Sequence, residues 1–299
     1  MSLTIGFVGL GAMGMPMAAN LARAGHHVLG FDIDSDRVGE ARHHGISPVL
    51  TPREAADGAD VLITMLPDAE TVRRVILVDD GPLAALERGC LMIDCSTTDL
   101  ATARLLADRG AERGVHVLDA PVAGTVGGAI EAVLTFVVGG SELANRHAEH
   151  LFKVMGARVL YCGASGAGQI ARACNQLVFA ATLAAVSEAF VLAERSGLSP
   201  QKLFDVLSEG AGNSYALNNF CPLPGIVGFA PANYGYRARL SAVRLRDELR
   251  AATAAADLIG VPLSVGTAAQ ELVELLADSD PDIDCSAVIK VVDTATSRT

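Results

Sequence analysis

The stretch Thr4-Ile-Gly-Phe-Val-Gly-Leu-Gly-Ala-Met-Gly14 decides the fold of this chain. It opens as a short apolar run and ends in the pattern G-x-G-x-x-G, and a helical pattern with Pro16 near its start follows at once. The first glycine permits a tight strand-to-helix turn, the second lets a pyrophosphate approach the backbone, and the third lets helix and strand pack closely. The sequence therefore predicts a dinucleotide-binding segment at Gly9, Gly11, Ala12, Met13 and Gly14.

The next apolar run, residues 27–31, leads into Asp32, which stands 18 residues after Gly14. This is close to the ~20 residues expected of the acid that binds the ribose hydroxyls of NAD. A carboxylate would repel a 2′-phosphate, so the pattern predicts NAD. Arg37 lies five residues further on and could pair with a 2′-phosphate, so NADP stays the less favoured alternative.

The alternation of short β-branched runs with helical patterns predicts an α/β fold, because strands that alternate with helices form βαβ units. After Gly163 the strand-like runs stop and long Ala/Leu-rich segments take over. We predict a Rossmann doubly wound parallel sheet in residues 1–164 and an all-helical C-terminal domain in residues 165–299, joined by a long interdomain helix. Residues 210–236 are rich in Gly, Asn, Pro and aromatic residues and are predicted to form a substrate-facing loop. The predicted strands are residues 4–9, 27–32, 61–65, 91–94, 115–119, 135–138 and 158–161, and the predicted C-terminal helices are residues 168–195, 200–209, 237–259 and 262–277.

The composition excludes several classes of protein. With 51% hydrophobic and 19% charged residues in 299, the chain is not predicted to be disordered, and its net charge of −11 argues against a nucleic-acid partner. Six scattered cysteines without a C-x-x-C pair predict neither a disulfide nor a metal site, and they suit a reducing, cytoplasmic compartment. The apolar run at 175–193 is interrupted by Ser187 and Glu188, so we predict a buried helix and no membrane span.

Further motifs run along nearly the whole chain, at residues 6–21, 64–68, 94–98, 119–124, 166–175, 260–263 and 284–288. In these motifs the chain resembles the β-hydroxyacid dehydrogenases, the family of 3-hydroxyisobutyrate dehydrogenase and tartronate semialdehyde reductase, related to 6-phosphogluconate dehydrogenase. The resemblance implies an NAD(P)-dependent oxidoreductase that moves a hydride between nicotinamide and a small hydroxy acid or semialdehyde. The implied substrates belong to the 3-hydroxyisobutyrate or 2-hydroxy-3-oxopropionate class.

The same resemblance implies the site residues. Leu66, Pro67 and Thr97 would contact the cofactor, Ser96, Ala123, Gly124 and Thr125 would bind the substrate, and Arg172 and Asn175 would be catalytic. The chain departs from the family pattern at several positions. Ala123 replaces a serine, Thr125 replaces a glycine, and Arg172 occupies the position of the catalytic lysine. The lysine of a second, Lys-Asp-Leu motif is also missing, and the arginine-rich run at 237–250 there is either a solvated helix face or part of the site.

Arg172 restricts the chemistry, because a guanidinium stays protonated and can bind or polarise a substrate but cannot accept its proton. The proton then needs another carrier, such as water, Tyr215, Tyr234 or Tyr236. Two alternatives remain open: a non-catalytic dinucleotide-binding homologue, and a C=N reductase similar to imine reductases. The apolar helical domain also predicts a homodimer or homotetramer.

Overall fold

The computed structural model describes residues 2–295 of the chain. The chain divides into two compact units, Met1–Arg172 and Ala173–Thr299, and each is described by itself.

Unit 1 contains one sheet, which has nine strands within the described residues. Its order is β3-β2-β1-β4-β5-β6-β8-β7, and β9 pairs with β8. The strands are β1 Thr4–Val8, β2 His27–Phe31, β3 Ser47–Pro48, β4 Val61–Thr64, β5 Leu91–Asp94, β6 His116–Asp119, β7 Val122–Ala123, β8 Leu134–Gly140 and β9 Gly156–Gly163.

The helices of unit 1 follow the strands in alternation, and the helices of unit 2 follow one another without strands between them among the described residues. Those that begin in unit 1 are α1 Gly14–Arg23, α2 Ser35–Ala41, α3 Pro52–Ala56, α4 Ala69–Ile76, α5 Pro82–Ala85, α6 Leu100–Arg113, α7 Val126–Ile130, α8 Glu142–Met155 and α9 Ala167–Arg195. The helices that begin in unit 2 are α10 Pro200–Glu209, α11 Tyr215–Asn219, α12 Ala242–Ile259, α13 Ser264–Ser279 and α14 Val288–Ala295.

The first six strands of the sheet are parallel, as predicted. Strand β8 differs, because it runs antiparallel to both β6 and β7. Between β6 and β8 the chain forms only β7 and the five-residue helix α7, so no crossover helix returns it to the parallel direction. Strands β3 and β7 have two residues each, which is too short for a periodic signal in the sequence.

Apolar side chains cover both faces of the sheet, as a doubly wound fold requires. Successive residues of a strand point to opposite faces. Ile63 and Ile93 accordingly join one core cluster, whereas their neighbours Leu62 and Met92 join the other. All four side chains are fully buried.

The core of unit 2 lies between helices. Leu183 of α9, Leu249 of α12 and Val273 of α13 belong to one cluster of buried side chains, and Phe190 of α9 belongs to a second. Helix α9 is long and apolar enough to cross a membrane by length and composition alone, yet half of its most apolar window is buried inside the protein. Burial of this kind is typical of a core helix.

Two predictions for unit 2 are wrong in detail. Residues 210–236 are not one loop, because they contain α11 and a 3-10 turn at Pro231–Tyr234. Helix α11 begins where Ser214 Oγ accepts a hydrogen bond from Leu217 N at 3.1 Å. Helix α12 begins at Ala242 rather than near 237, because Asp284 holds the preceding segment through the backbone N–H groups of Arg239 and Leu240.

Candidate functional site

The glycine loop after β1 has the geometry that the sequence motif predicts. Gly9 adopts a φ of +99°, and a Cβ there would lie 2.3 Å from the carbonyl oxygen of Met65. A Cβ on Gly14 would lie 1.9 Å from the carbonyl oxygen of Gly9. A Cβ on Gly11 would contact only Arg37 Nη1, at 3.2 Å, so this side of the loop is open. The first and third glycines are therefore needed for packing, and the second leaves space for a ligand.

Helix α1 begins at this loop without a side-chain cap. The residue before it is Met13, which makes no capping hydrogen bond, whereas Asp34, Thr51 and Asp68 cap the helices that follow them. Met15 N donates to the carbonyl oxygen of Gly11 at 3.0 Å and Pro16 has no N–H, so the donors to an anion would come from the glycine loop, at the positive end of the helix dipole. The start of α1 thus fits the pyrophosphate of a dinucleotide.

Asp32 is held against the same loop. Its Oδ2 accepts a hydrogen bond from Leu10 N at 2.7 Å, and its Oδ1 accepts one from Asp34 N at 2.9 Å. Each carboxylate oxygen keeps a lone pair that a ribose hydroxyl can use. Arg37 Nε forms an ion pair with Asp34 Oδ2 at 3.2 Å. The positive charge of Arg37 is therefore placed beside the Asp34 carboxylate. The next residue, Ile33, is 95% exposed, and sequence reasoning did not single out this apolar side chain.

The structure brings Leu66 and Ser96 together at the ends of β4 and β5. Ser96 is fully buried, and its Oγ accepts a hydrogen bond from Leu66 N at 2.9 Å. Pro67 is exposed and Thr97 is half-buried, so these two residues offer surface to a ligand. The Ser96 hydroxyl therefore holds the backbone at Leu66. A contact between Ser96 and a substrate remains a prediction.

The carboxylate of Asp94 stabilises the turn that follows β5. Its Oδ1 accepts hydrogen bonds from Thr64 Oγ1 at 2.7 Å and from Ser96 N at 3.1 Å. Burial raises the pKa of Asp94 to about 6, and the negative charge of Asp119 adds to the rise against the lowering effect of these hydrogen bonds. Its Oδ2 has no hydrogen-bond partner within the described part of the chain.

Asp119 and Gln169 join the end of β6 to the start of α9. Asp119 accepts hydrogen bonds from Gly166 N at 2.7 Å and from Gln169 N at 3.1 Å, and burial raises its pKa. The Gln169 side chain contacts the backbone of residues 96–98 and is 3% exposed. Sequence reasoning missed Gln169 as a functional residue, although it lies inside the motif at residues 166–175.

The segment Ala123-Gly124-Thr125 leads from β7 into α7. Gly124 has a φ of +152°, and a Cβ there would lie 2.6 Å from a methyl group of Leu134. Ala123 is half-buried, and Gly124 and Thr125 are exposed. The hydroxyl oxygen of Thr125 accepts a hydrogen bond from Gly128 N at 3.2 Å and thereby caps α7. The hydroxyl that the family pattern lacks at this position therefore starts a helix here.

Arg172 and Asn175 lie on α9, one helical turn apart. Arg172 is half-buried and Asn175 is exposed. Asn175 Nδ2 donates to Gln176 Oε1 at 3.0 Å, and Gln176 Nε2 donates to Glu248, a carboxylate that is only 4% exposed. Sequence reasoning missed the buried pair of Gln176 and Glu248. Its signal in the sequence was a glutamine next to Asn175 in an apolar helix.

The arginines of the run at 237–250 that lie on α12 are paired with neighbouring carboxylates. Its ion pairs are Arg244 with Glu248 at 3.6 Å, Arg246 with Asp247 at 2.9 Å and Arg250 with Glu274 at 2.9 Å. These contacts favour the interpretation of a charged helix face over that of a substrate site.

The three candidate tyrosines differ in their exposure and in whether their hydroxyl group is hydrogen-bonded within the protein. Tyr236 Oη donates to the carbonyl oxygen of Pro222 at 2.8 Å, and burial raises the pKa of this phenol. Tyr215 and Tyr234 are each 64% exposed. The Tyr236 hydroxyl therefore stabilises the segment between Pro222 and Tyr236.

Comparisons with known proteins cover both units. The model for the NAD binding domain of 6-phosphogluconate dehydrogenase matches residues 4–163, and the model for the NAD-binding domain of NADP-dependent 3-hydroxyisobutyrate dehydrogenase matches residues 166–292. The chain is 42% identical over 286 residues to a probable 3-hydroxyisobutyrate dehydrogenase of Mycobacterium tuberculosis, with 96% of each chain covered. It is 37% identical to an NAD-dependent L-serine dehydrogenase of Pseudomonas aeruginosa, with 97% of each chain covered. The solved structure of a Mycobacterium tuberculosis 3-hydroxyisobutyrate dehydrogenase with L-serine matches with a TM-score of 0.94 and 42% identity, over 98% of this chain and 99% of that one.

Proposed function

Because the chain belongs to the β-hydroxyacid dehydrogenase family, we propose that its substrate is a small 3-hydroxy acid of the 3-hydroxyisobutyrate class, bound by Arg172. The chain is an NAD-dependent oxidoreductase acting on CH–OH groups, with NADP the less favoured cofactor. One observation carries the choice of substrate, namely the similarity over 96% of the chain to relatives named for 3-hydroxyisobutyrate. L-serine is the second candidate, because one relative is named for it and another was solved with it.

The cofactor would be held by the loop at Gly9, Gly11, Ala12, Met13 and Gly14, with its pyrophosphate at the start of α1. Asp32 would accept hydrogen bonds from the adenosine ribose, and Leu66, Pro67 and Thr97 would line the nicotinamide half. When bound, NAD supplies the acceptor for the hydride that leaves the carbinol carbon. The task of the chain is to bind and orient the substrate carbon, which is where proximity contributes to the rate.

Arg172 would bind the substrate carboxylate or its oxygen through the guanidinium fork, with Asn175 orienting the substrate beside it. Ala123, Gly124 and Thr125 would border the substrate, and Thr125 can still donate its hydroxyl proton while it caps α7. Oxidation of the hydroxyl releases one proton besides the hydride. A guanidinium cannot take up this proton and the Tyr236 hydroxyl donates to Pro222, so water or one of the exposed tyrosines Tyr215 and Tyr234 is the proposed proton carrier.

A homodimer or homotetramer is part of the proposal. Helix α9 carries an outward stripe with heptad spacing, of which Val178 is 65% exposed and Leu192 is 69% exposed. Between them the small side chains of Ala185 and Ala189 border a groove of about 480 Å³. The same face on a second copy would cover the stripe symmetrically. Leu192→Glu should lower the mass found by light scattering, and an unchanged mass would contradict this interface.

The domain boundary near 164 and a cytoplasmic location also stay proposals. The first is supported by the positions of the two family models, which end at 163 and begin at 166. The second is supported by the six cysteines, all of which are free thiols, as suits a reducing compartment.

The experiment that tests the proposed function combines binding with turnover. Calorimetric titration with NAD and NADP comes first, followed by turnover of 3-hydroxyisobutyrate, L-serine, glycerate and a cyclic imine at several pH values. Arg172→Ala should lower kcat/KM by about 10³-fold while the Kd for NAD changes less than about threefold, because a fixed charge on the substrate is lost. The control is Arg109→Ala, which removes an exposed arginine paired with Glu112.

The outcomes separate the alternatives. A fully active Arg172→Ala variant would refute the role of this residue. Tight NAD binding with no turnover across the panel would favour a non-catalytic homologue, and turnover of the imine alone would favour a C=N reductase. Arg172→Lys introduces a group that can exchange a proton, so it should make the turnover depend more strongly on pH.

A further inference from the structure

A row of buried polar side chains lies at the carboxyl ends of strands β4, β5 and β6 and at the start of α9, all within unit 1. Each of them is no more than 4% exposed. A buried polar group destabilises a protein unless it is hydrogen-bonded, so a continuous row of them needs an explanation other than packing. The members are Thr64, Asp94, Ser96, Thr98, Asp119 and Gln169.

Gln169 is the member that connects the turn at residues 96–98 to α9. Its Nε2 donates to the carbonyl oxygen of Ser96 at 2.8 Å, and its Oε1 accepts from Thr98 N at 3.1 Å. One side chain thus fixes a backbone acceptor and a backbone donor two residues apart. Only a group with a donor and an acceptor at this spacing can form both bonds, and an amide has both.

Both ends of this connection are anchored. On the sheet side, Ser96 N donates to Asp94, and Ser96 Oγ holds Leu66. On the helix side, Gln169 N donates to Asp119 Oδ2 at 3.1 Å. Gln169 is therefore a rigid link between the turn at residues 96–98 and the first turn of α9.

Arg172 follows Gln169 by three residues on α9, so both project from the same side of the helix. A shift of about 1 Å in a binding group can lower a rate about 10²-fold. We propose that Gln169 is a positioning residue that fixes the turn carrying Thr97 at a set distance from the helical turn carrying Arg172. This inference rests on the proposed function, because the turn and Arg172 are assigned there to cofactor and substrate.

Two variants test the link. Gln169→Met keeps the approximate size of the side chain but removes both hydrogen bonds, and it should lower kcat about 10- to 100-fold with the Kd for NAD within about threefold. Gln169→Glu keeps the acceptor, and it has the donor only when the introduced carboxyl is protonated. The ratio of its kcat to that of the wild type should therefore rise at least about fivefold as the pH falls from 9 to 6.

The control is Gln201→Glu, which changes an exposed glutamine on α10 and should leave kcat and its pH profile unchanged. Thermal melting of each variant shows whether it is folded. If Gln169→Met retains kcat within about twofold, or if the ratio for Gln169→Glu is independent of pH, the proposal is overturned. A purely structural role would lower the melting temperature without a pH-dependent recovery of kcat.

A measurement that does not need turnover tests the role of Gln169 separately from the proposed function. If the wild type oxidises none of the hydroxy acids, the proposed function fails, and the link is then tested by hydrogen exchange of the peptide that contains Thr98. Its amide should exchange at least about tenfold faster in Gln169→Met than in the wild type, because its acceptor is gone. Equal exchange rates would overturn the proposal whatever the enzyme does.

Discussion

Asp94 allows one prediction to be worked out in detail. Its carboxyl is fully buried, with the pKa raised from 3.8 to about 6, chiefly by burial. Asp94→Asn removes the titration and keeps an oxygen that can accept the hydrogen bonds from Ser96 N and Thr64 Oγ1. The new amide nitrogen takes the place of the unpartnered Oδ2, which costs about 1–3 kcal/mol at every pH.

The pH dependence follows from the sign of the shift. Below about pH 3 the carboxyl is protonated in both states and contributes no penalty. Between pH 4 and 6 the unfolded chain releases this proton while the folded chain keeps it, so stability falls as the pH rises. A rise of about two units corresponds to about 3 kcal/mol, and the whole loss is present above pH 6. The variant lacks this loss, so its free energy of unfolding relative to the wild type should increase by about 2 kcal/mol from pH 4 to 7.

The measurement is urea unfolding followed by circular dichroism at pH values from 4 to 8, for the wild type and Asp94→Asn in parallel. Asp108→Asn, which changes an exposed carboxylate on α6, is the control and should give a profile parallel to that of the wild type. Parallel profiles for Asp94→Asn and the wild type would refute the reasoning, because Asp94 would then be ionised in the folded protein to the same degree as in the unfolded chain.

Three further predictions follow from contacts in the two units. Gly14→Ala should abolish NAD binding in calorimetry, because the added methyl group would lie 1.9 Å from Gly9 O, whereas Gly39→Ala on α2 meets no atom within 4 Å and should bind NAD as the wild type does. Asp32→Ala should raise the Kd for NAD about 10- to 100-fold in the same assay, since two hydrogen bonds to a charged group are lost, and an unchanged Kd would contradict its assignment to the ribose. Asp284→Ala removes the acceptor of four hydrogen bonds and should destabilise unit 2 by at least about 3 kcal/mol in urea unfolding, with exchange rates in unit 1 unchanged.

Elements with strong periodicity or a conformational requirement could be predicted from the sequence. The glycine loop has a steric reason at each position, and the buried parallel strands appear as continuous apolar runs. Helix α9 was predicted as residues 168–195 and spans Ala167–Arg195. Strands of two residues, such as β3, carry no periodicity, and the direction of β8 depends on a connection whose helix is too short to be a crossover.

The candidate site could be predicted only where a residue type indicates its chemistry. Asp32 was visible because a carboxylate after a second strand is chemically distinctive, and Arg172 was visible because the family resemblance implies a lysine at its position. Gln169 and Gln176 were not, since a glutamine in a helix is ordinary until the structure shows which backbone or carboxylate it contacts. Thr125 was seen as a hydroxyl near the substrate, and its bond to Gly128 N became visible only in three dimensions.

The uncapped start of α1 has a consequence for the stability of the protein against proteolysis in the cell. A ligand that binds only the folded state stabilises it by RT ln(1 + [L]/Kd), or about 2.7 kcal/mol at a hundredfold excess over Kd. In the complex, the N–H groups of the glycine loop before α1 would donate to the pyrophosphate, and no side-chain cap at Met13 competes for them. Proteases act on transiently opened chains, so the amount of this protein should follow the supply of its dinucleotide. Phosphate and sulfate ions compete for the same N–H groups, and purification in such buffers should mask part of this effect.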